Sequence, residues 1–259
     1  ATWNASAGIP ATGRQIFTFD GTSGATFPTA AQMAALDRPG PTAADLPVVT
    51  GADNAAYIAG TRTLELANSG ALRNRNHLLG DIVSSSPAYD PATGTIYVGA
   101  NDGMLHAFNA TDGTERFGYV PAGIDFSLLK TFSKPDYAHQ YFVDGPITVS
   151  RRDQTPGASI LVGTLGRGGK GIYALDVTTP SAFAASNVKW ERTTTPGNNM
   201  GLVLGQPIIA KLNNGVMGLI VSNGLNSAND RAALLVYRLS DGALLAEIAT
   251  GVGSAVPPT

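Results

Sequence analysis

The chain contains no cysteine. Disulfides, thiolate zinc sites, iron–sulfur clusters and cysteine nucleophiles are therefore excluded. Charge is also scarce: Asp, Glu, Lys and Arg make up 14% of the 259 residues, against roughly a quarter in an average soluble domain. The net charge of −2 supplies no field to gather nucleic acid or an anionic membrane. No apolar run approaches the ~20 residues of a membrane-crossing helix. Histidine occurs only as His77, His106 and His139, and glutamate only as Glu65, Glu115, Glu191 and Glu247. No Gly-x-Ser-x-Gly elbow, metal triad or EF-hand-like Asp loop is present, so the common hydrolase and calcium signatures are missing.

Glycine, by contrast, is plentiful at 31 residues, with 16 prolines. Many short strands joined by tight turns would produce such a composition. A repeat supports this. "LHAFNATDG" from Leu105, "IYALDVTTP" from Ile172 and "LLVYRLSDG" from Leu234 align without gaps, apolar at the first, third and fourth positions. Each follows an apolar strand ("TIYVGA", "SILVGT", "GLIVSN"), and each of those follows a proline: Pro87, Pro146 and Pro207. Three markers in step define a repeating unit. Each unit reads as four strands, A to D, separated by turns such as "PATG", "NDG" and "TDG" that supply the positive φ of hairpins. The fold expected is all-β: a modified, incomplete β-propeller of four-stranded antiparallel blades with short N-terminal helices. A sandwich or solenoid is the alternative. The blades fall at about 84–143, 144–204 and 205–259 within a region 80–259. Residues 1–79 read as a covering segment, with a strand in "GRQIFTFDG", a helix capped by Thr29 in "TAAQMAAL" and a second helix within 53–70. Three blades do not close a ring, and the chain reads as a fragment ending in a linker, "GVGSAVPPT".

Strand polarity puts the B–C and D–A connections at one end of the blades. The B–C spans lengthen from Val98–Leu105 to Val162–Ile172 to Val221–Leu234, and long loops on a rigid scaffold are where binding residues concentrate. The candidate partner-binding positions are Arg167 and Lys170 in "GTLGRGGKG", Asn226, Asn229 and Asp230 in "NGLNSAND", and Asp136, Tyr137 and His139 in the long D–A connection. Alternatively these loops only cap the blade ends, and the glycine-rich run is a flexible or bulged hairpin rather than a phosphate loop, since a strand follows it. His106, inside an apolar strand, reads as a hydrogen-bonded packing residue. No catalytic or cofactor-binding residue is assigned.

Several runs resemble a known family: "LLGDIVSSSPAYD", "YVGANDGMLHAFNATDG", "YFVDGPITV", "LVGTLGRGGKGIYALDVT" and "LGQPIIAKLNNG". They are similar to the C-terminal domain of the PilC/PilY family of type IV pilus biogenesis factors and pilus-tip adhesins of Gram-negative bacteria. The resemblance spans about Arg14 to Thr250. It implies a modified β-propeller and a non-enzymatic role in pilus biogenesis, twitching motility and surface adhesion. Minor pilins, and host-cell or abiotic surfaces, are the implied partners, at an extracellular pilus tip with periplasmic and outer-membrane-associated pools. Nucleic acid binding and membrane spanning are not implied. The family's calcium loop is expected beyond Thr259, so the implied cofactors are none in this stretch and calcium in a longer parent. A quinoprotein-type dehydrogenase or a periplasmic assembly scaffold, both built from similar blades, would be the competing functions.

Overall fold

In a computed structural model that describes residues 2–194 and 198–253, alternating apolar strands assemble into three stacked sheets. The N-terminal part supplies β1 (Ile16–Phe19), β2 (Gly24–Thr26), α1 (Ala30–Ala35) and α2 (Gly51–Ala59). Thr29 caps α1 in a reciprocal box with Gln32, and Thr50 caps α2, satisfying N–H groups that a short helix leaves open. The first repeat gives β3 (Ala88–Asp90), β4 (Thr95–Gly99), β5 (Leu105–Asn109) and β6 (Glu115–Val120), followed by the one-turn helix α3 (Phe126–Leu129). The second gives β7 (Ile147–Val149), β8 (Ile160–Thr164), β9 (Gly171–Asp176) and β10 (Val188–Thr193). The third gives β11 (Ile208–Lys211), β12 (Met217–Ser222), β13 (Arg231–Arg238) and β14 (Leu244–Gly253). Each repeat is an antiparallel meander, and the sheets form β-propeller blades that do not close into a ring among the described residues.

Two features depart from the sequence reading. The segment before the first blade is hydrogen-bonded into it: β1 runs parallel to β6, Phe17 opposite Tyr119, and β2 adds a sixth strand. The supposed linker begins as strand, because β14 continues through Gly253; residues 254–259 lie outside the described residues, as do 195–197 of the connection between the second and third blades.

Blade faces are packed by residue alternation. Tyr97, Ala107 and Phe117 align across the first sheet and meet Leu161, Tyr173 and Leu175 of the second in one core. Phe117 stacks on Phe183 at 3.8 Å between ring centroids. The opposite face of the second sheet, with Val162, Ala174 and Trp190 in register, meets Leu219, Val221, Leu235 and Tyr237 of the third. The far face of the third sheet carries exposed Ile208, Leu234 and Ile248. On the near face of the first, Val98 and Phe108 are covered by Ile9, Ala5, Leu78 and Leu79.

The two tryptophans occupy matching seats. Trp190 of β10 donates its Nε1–H to Leu239 O (2.9 Å) across the β13–β14 turn and lies flat on Gly242. Gly242 has φ +68°, and a Cβ there would be 2.5 Å from the indole, so only glycine fits. Trp3 does the same on the β5–β6 turn, donating to Ala110 O (3.0 Å) over Gly113.

Candidate functional site

The B–C and D–A connections meet at one end of the first two blades. After β6 the chain turns at Asp125, whose side chain caps α3, and continues through Asp136, Tyr137, His139 and Tyr141 to β7. Tyr137 is half-buried: its ring packs edge-on against Phe132 (5.3 Å), and its hydroxyl accepts the Gln140 N–H (3.0 Å). Burial raises its pKa. His139 is exposed, with Nε2 2.7 Å from Asp81 Oδ2 and its ring edge-on to Tyr141 at 4.8 Å. Asp81 also accepts from Asn101 Nδ2 at 3.1 Å, which ties this histidine to the first blade's B–C turn.

Arg167 comes to the same place from the second blade. Its guanidinium lies 5.3 Å from the Tyr141 ring centroid and donates to the Tyr141 hydroxyl (3.3 Å). The glycine-rich run that carries it is a tight single turn, Gly166–Gly168, with both glycines buried. It joins the antiparallel pair β8 and β9, a hairpin as the sequence reading expected. A Cβ on Gly168 would lie 1.7 Å from Phe142 O, so the run is rich in glycine to let two backbones touch, which holds Arg167 outward. The structure thus joins His139, Tyr141 and Arg167 in one row with Asp81. Asp136 is exposed and 3.7 Å from Lys134 Nζ; Lys170 is half-buried and is not brought into the row, its carbonyl accepting from Thr194 N instead.

Asn226, Asn229 and Asp230 form a separate group at the third blade. Asn226 and Asp230 adopt positive φ (57° and 51°), and Asn229 accepts from Arg231 N (3.0 Å). Buried Asn223 fixes this turn, donating to Asn199 O and Arg231 O and accepting from Ala233 N. No contact links this group to Arg167 among the described residues.

Two buried charge clusters lay beyond the sequence reading. His106 is fully buried (0% exposed) and is more than a packing residue. Its Nδ1 lies 2.7 Å from Glu115 Oε1 and its Nε2 3.0 Å from Asp102 Oδ2. Glu115 in turn holds Arg14 through two bonds of 2.6 and 2.7 Å. Burial opposes the imidazolium, but Asp102 first and Glu115 next outweigh it and raise its pKa to about 9. Glu115, despite its burial, is drawn down to about 2 by His106 and Arg14.

Glu191 on β10 sits between the first two blades and accepts from the Tyr119 hydroxyl, Ala122 N (2.9 Å) and Gly123 N (3.1 Å). Burial outweighs these donors and lifts its pKa to about 7. A raised folded pKa contributes stability that is whole below the unfolded value near 4.5 and is lost as pH rises through 7. Glu191→Gln is therefore expected to remove the part of the stability decline that lies between pH 4.5 and 7. Urea titrations at half-unit pH steps would show it; an unchanged slope in the variant would refute the assignment.

Among the described residues no group of three His, Asp or Glu side chains is placed to hold a metal, and no helix is long and apolar enough to cross a membrane.

Comparison with known proteins agrees with the fold. A family model described as the PilY1 beta-propeller domain matches residues 78–258. A type IV pilus biogenesis factor PilY1 homolog of Xylella fastidiosa is 39% identical over 215 residues, covering 72% of this chain and 17% of its own length. The type IV pilus biogenesis factor PilY1 of Pseudomonas aeruginosa strain PAK is 35% identical over 246 residues, 82% of this chain and 20% of that protein. The chain thus spans a minor part of these relatives. The crystal structure of the Pseudomonas aeruginosa PilY1 C-terminal domain aligns at a TM-score of 0.46 with 34% identity, over 61% of this chain and 31% of that one.

Proposed function

The chain belongs to the PilY1 β-propeller family, and from that premise we propose that it is a non-enzymatic display module of a type IV pilus biogenesis factor. The module acts at the extracellular pilus tip, holding a recognition surface that binds a minor pilin and supports twitching motility and surface adhesion. One observation carries the reading. Asp81 from the segment before the first blade, His139 and Tyr141 from a long connection and Arg167 from the second blade form one surface row. Arginine and tyrosine in such rows are the residues that dominate protein interfaces. The rigid blades beneath reduce the entropy lost on binding.

The test uses the full-length parent protein in a bacterium deleted for its own copy. Arg167→Ala combined with Tyr141→Ala is expected to reduce surface pili and twitching-zone diameter several-fold at unchanged protein level. Both side chains lie at the surface, so folding should be preserved. Normal piliation and motility in that strain would remove this row as the recognition surface.

A further inference from the structure

A cavity of about 260 Å³ opens beside this row, between the irregular strap of residues 73–81 and the connection that follows β6. Two arginines wall it. Arg75 is fully engaged: Nε lies 2.8 Å from Glu65 Oε1, and its other nitrogens donate to Tyr57 O and Thr61 O. Arg73 is different. Its backbone N–H donates to Ser133 O (2.9 Å) and its Nε to Phe132 O (3.1 Å). Its guanidinium lies 4.6 and 4.7 Å from the ring centroids of Phe132 and Tyr137. The side chain is therefore fixed, and it also bonds the Tyr57 hydroxyl, which occupies one of its outer N–H groups and leaves the others open. A guanidinium held against two rings with outer N–H groups to spare is pre-organised for a carboxylate, which it grips through two parallel bonds. The one carboxylate in the cavity wall, Asp81, already accepts from His139 and Asn101.

The strap adds a second feature. The backbone N–H groups of Asn76, His77, Leu78 and Leu79, all in the cavity wall, have no acceptor among the described residues. Open main-chain groups beside a fixed cation match a peptide, whose own backbone can pair with them. We infer that this cavity is a recognition pocket for an acidic side chain, Asp or Glu, carried on a peptide segment of a partner protein, with Arg73 as the residue that sets the preference for acid over amide. The inference rests on the reading above for the kind of partner and adds the chemistry of its contact.

The probe is N-acetylglutamate α-amide, with N-acetylglutamine α-amide as its uncharged match. Each is titrated into the isotopically labelled chain and followed by NMR. The glutamate probe is expected to shift the Arg73 Nε–H and Tyr137 amide signals saturably, and the glutamine probe to leave them in place. Arg73→Gln is expected to weaken glutamate binding about tenfold, the order set by loss of a charge-assisted pair, and Arg73→Lys to recover part of it. The contrast between probes on the unaltered chain needs no variant, so it holds even if a substitution perturbs folding. Equal shifts with both probes, or undiminished binding by Arg73→Gln, would overturn the pocket. Arg167→Ala should leave probe binding unchanged. Normal piliation with Arg167→Ala combined with Tyr141→Ala, alongside probe binding by the unaltered chain, would sink the display surface and spare the pocket; lost piliation in that strain without probe binding by the unaltered chain would do the reverse.

Discussion

His106→Ala is expected to destabilise the chain by about 3–5 kcal/mol, the usual cost of removing one partner from a buried ion pair. That corresponds to about 10 °C in Tm for a domain of this size. The substitution leaves Asp102 and Glu115 buried together with only Arg14 to balance them. The same cluster fixes the sign of a pH dependence. His106 has a folded pKa of about 9, above its unfolded value near 6.5, so its contribution is whole below pH 6.5 and is lost as pH rises through 9. Glu115 is depressed to about 2, so its contribution is present above pH 4.5 and is lost as pH falls through 2. The cluster is therefore most stabilising between pH 4.5 and 6.5. Thermal melts should show a decline above that window, and His106→Gln, which keeps a donor but cannot titrate, should flatten it. A double-mutant cycle of Arg14 with His106 should reveal coupling, because both hold Glu115. A loss below about 1 kcal/mol for His106→Ala, within the range of ordinary substitutions, would mean that the cluster is not charged as described.

A comparable loss, about 3–5 kcal/mol, is expected for Trp190→Ala, but its character should differ. Trp190 is 2% exposed and joins two sheets. It seats on the third sheet's turn, where Arg192 also donates to Gly242 O (2.8 Å) and Asp241 O (2.6 Å). Removing the indole opens a cavity at that junction and frees Leu239 O. The third blade should then release before the first two. Limited proteolysis should cut first near residues 198–206, and urea melts should lose their single step. Trp3→Ala, at a half-exposed seat of the same shape, should cost less. A single cooperative transition for Trp190→Ala, with the stability of the unaltered chain, would contradict the clasp.

The blades were legible because their information is local. Val98, Val162 and Val221 precede small residues and turns, and the pairing of neighbouring strands follows from a period of two and a tight connection. The clasps and the charge cluster were not, because their partners are remote. Trp3 reaches Ala110 and Arg14 reaches Glu115, each across about a hundred positions, and nothing near either residue marks the other. His106 was read as a hydrogen-bonded packing residue because its strand is apolar, but its partners were not visible; Glu115 comes onto the face of His106 only because a bulge between Ala107 and Phe108 pairs it with Phe108, two residues further on. Of the candidate site, Tyr137, His139 and Arg167 were visible as long-loop residues. The meeting of His139 and Arg167 through Tyr141, and of Tyr137 with Arg73, required the fold. Arg73 sits in a stretch that reads as a plain lead into the first blade, and only the Phe132 and Tyr137 rings give it a role.

The seat of Trp3 has a consequence for the first blade. The indole lies on the β5–β6 turn, and Ile9 joins Ala5, Leu78 and Leu79 over Val98 and Phe108. The N-terminal residues thus act as a lid on one face of the first sheet. That face stays dry only while the residues around Trp3 and Ile9 remain seated, so cover and blade form one cooperative unit.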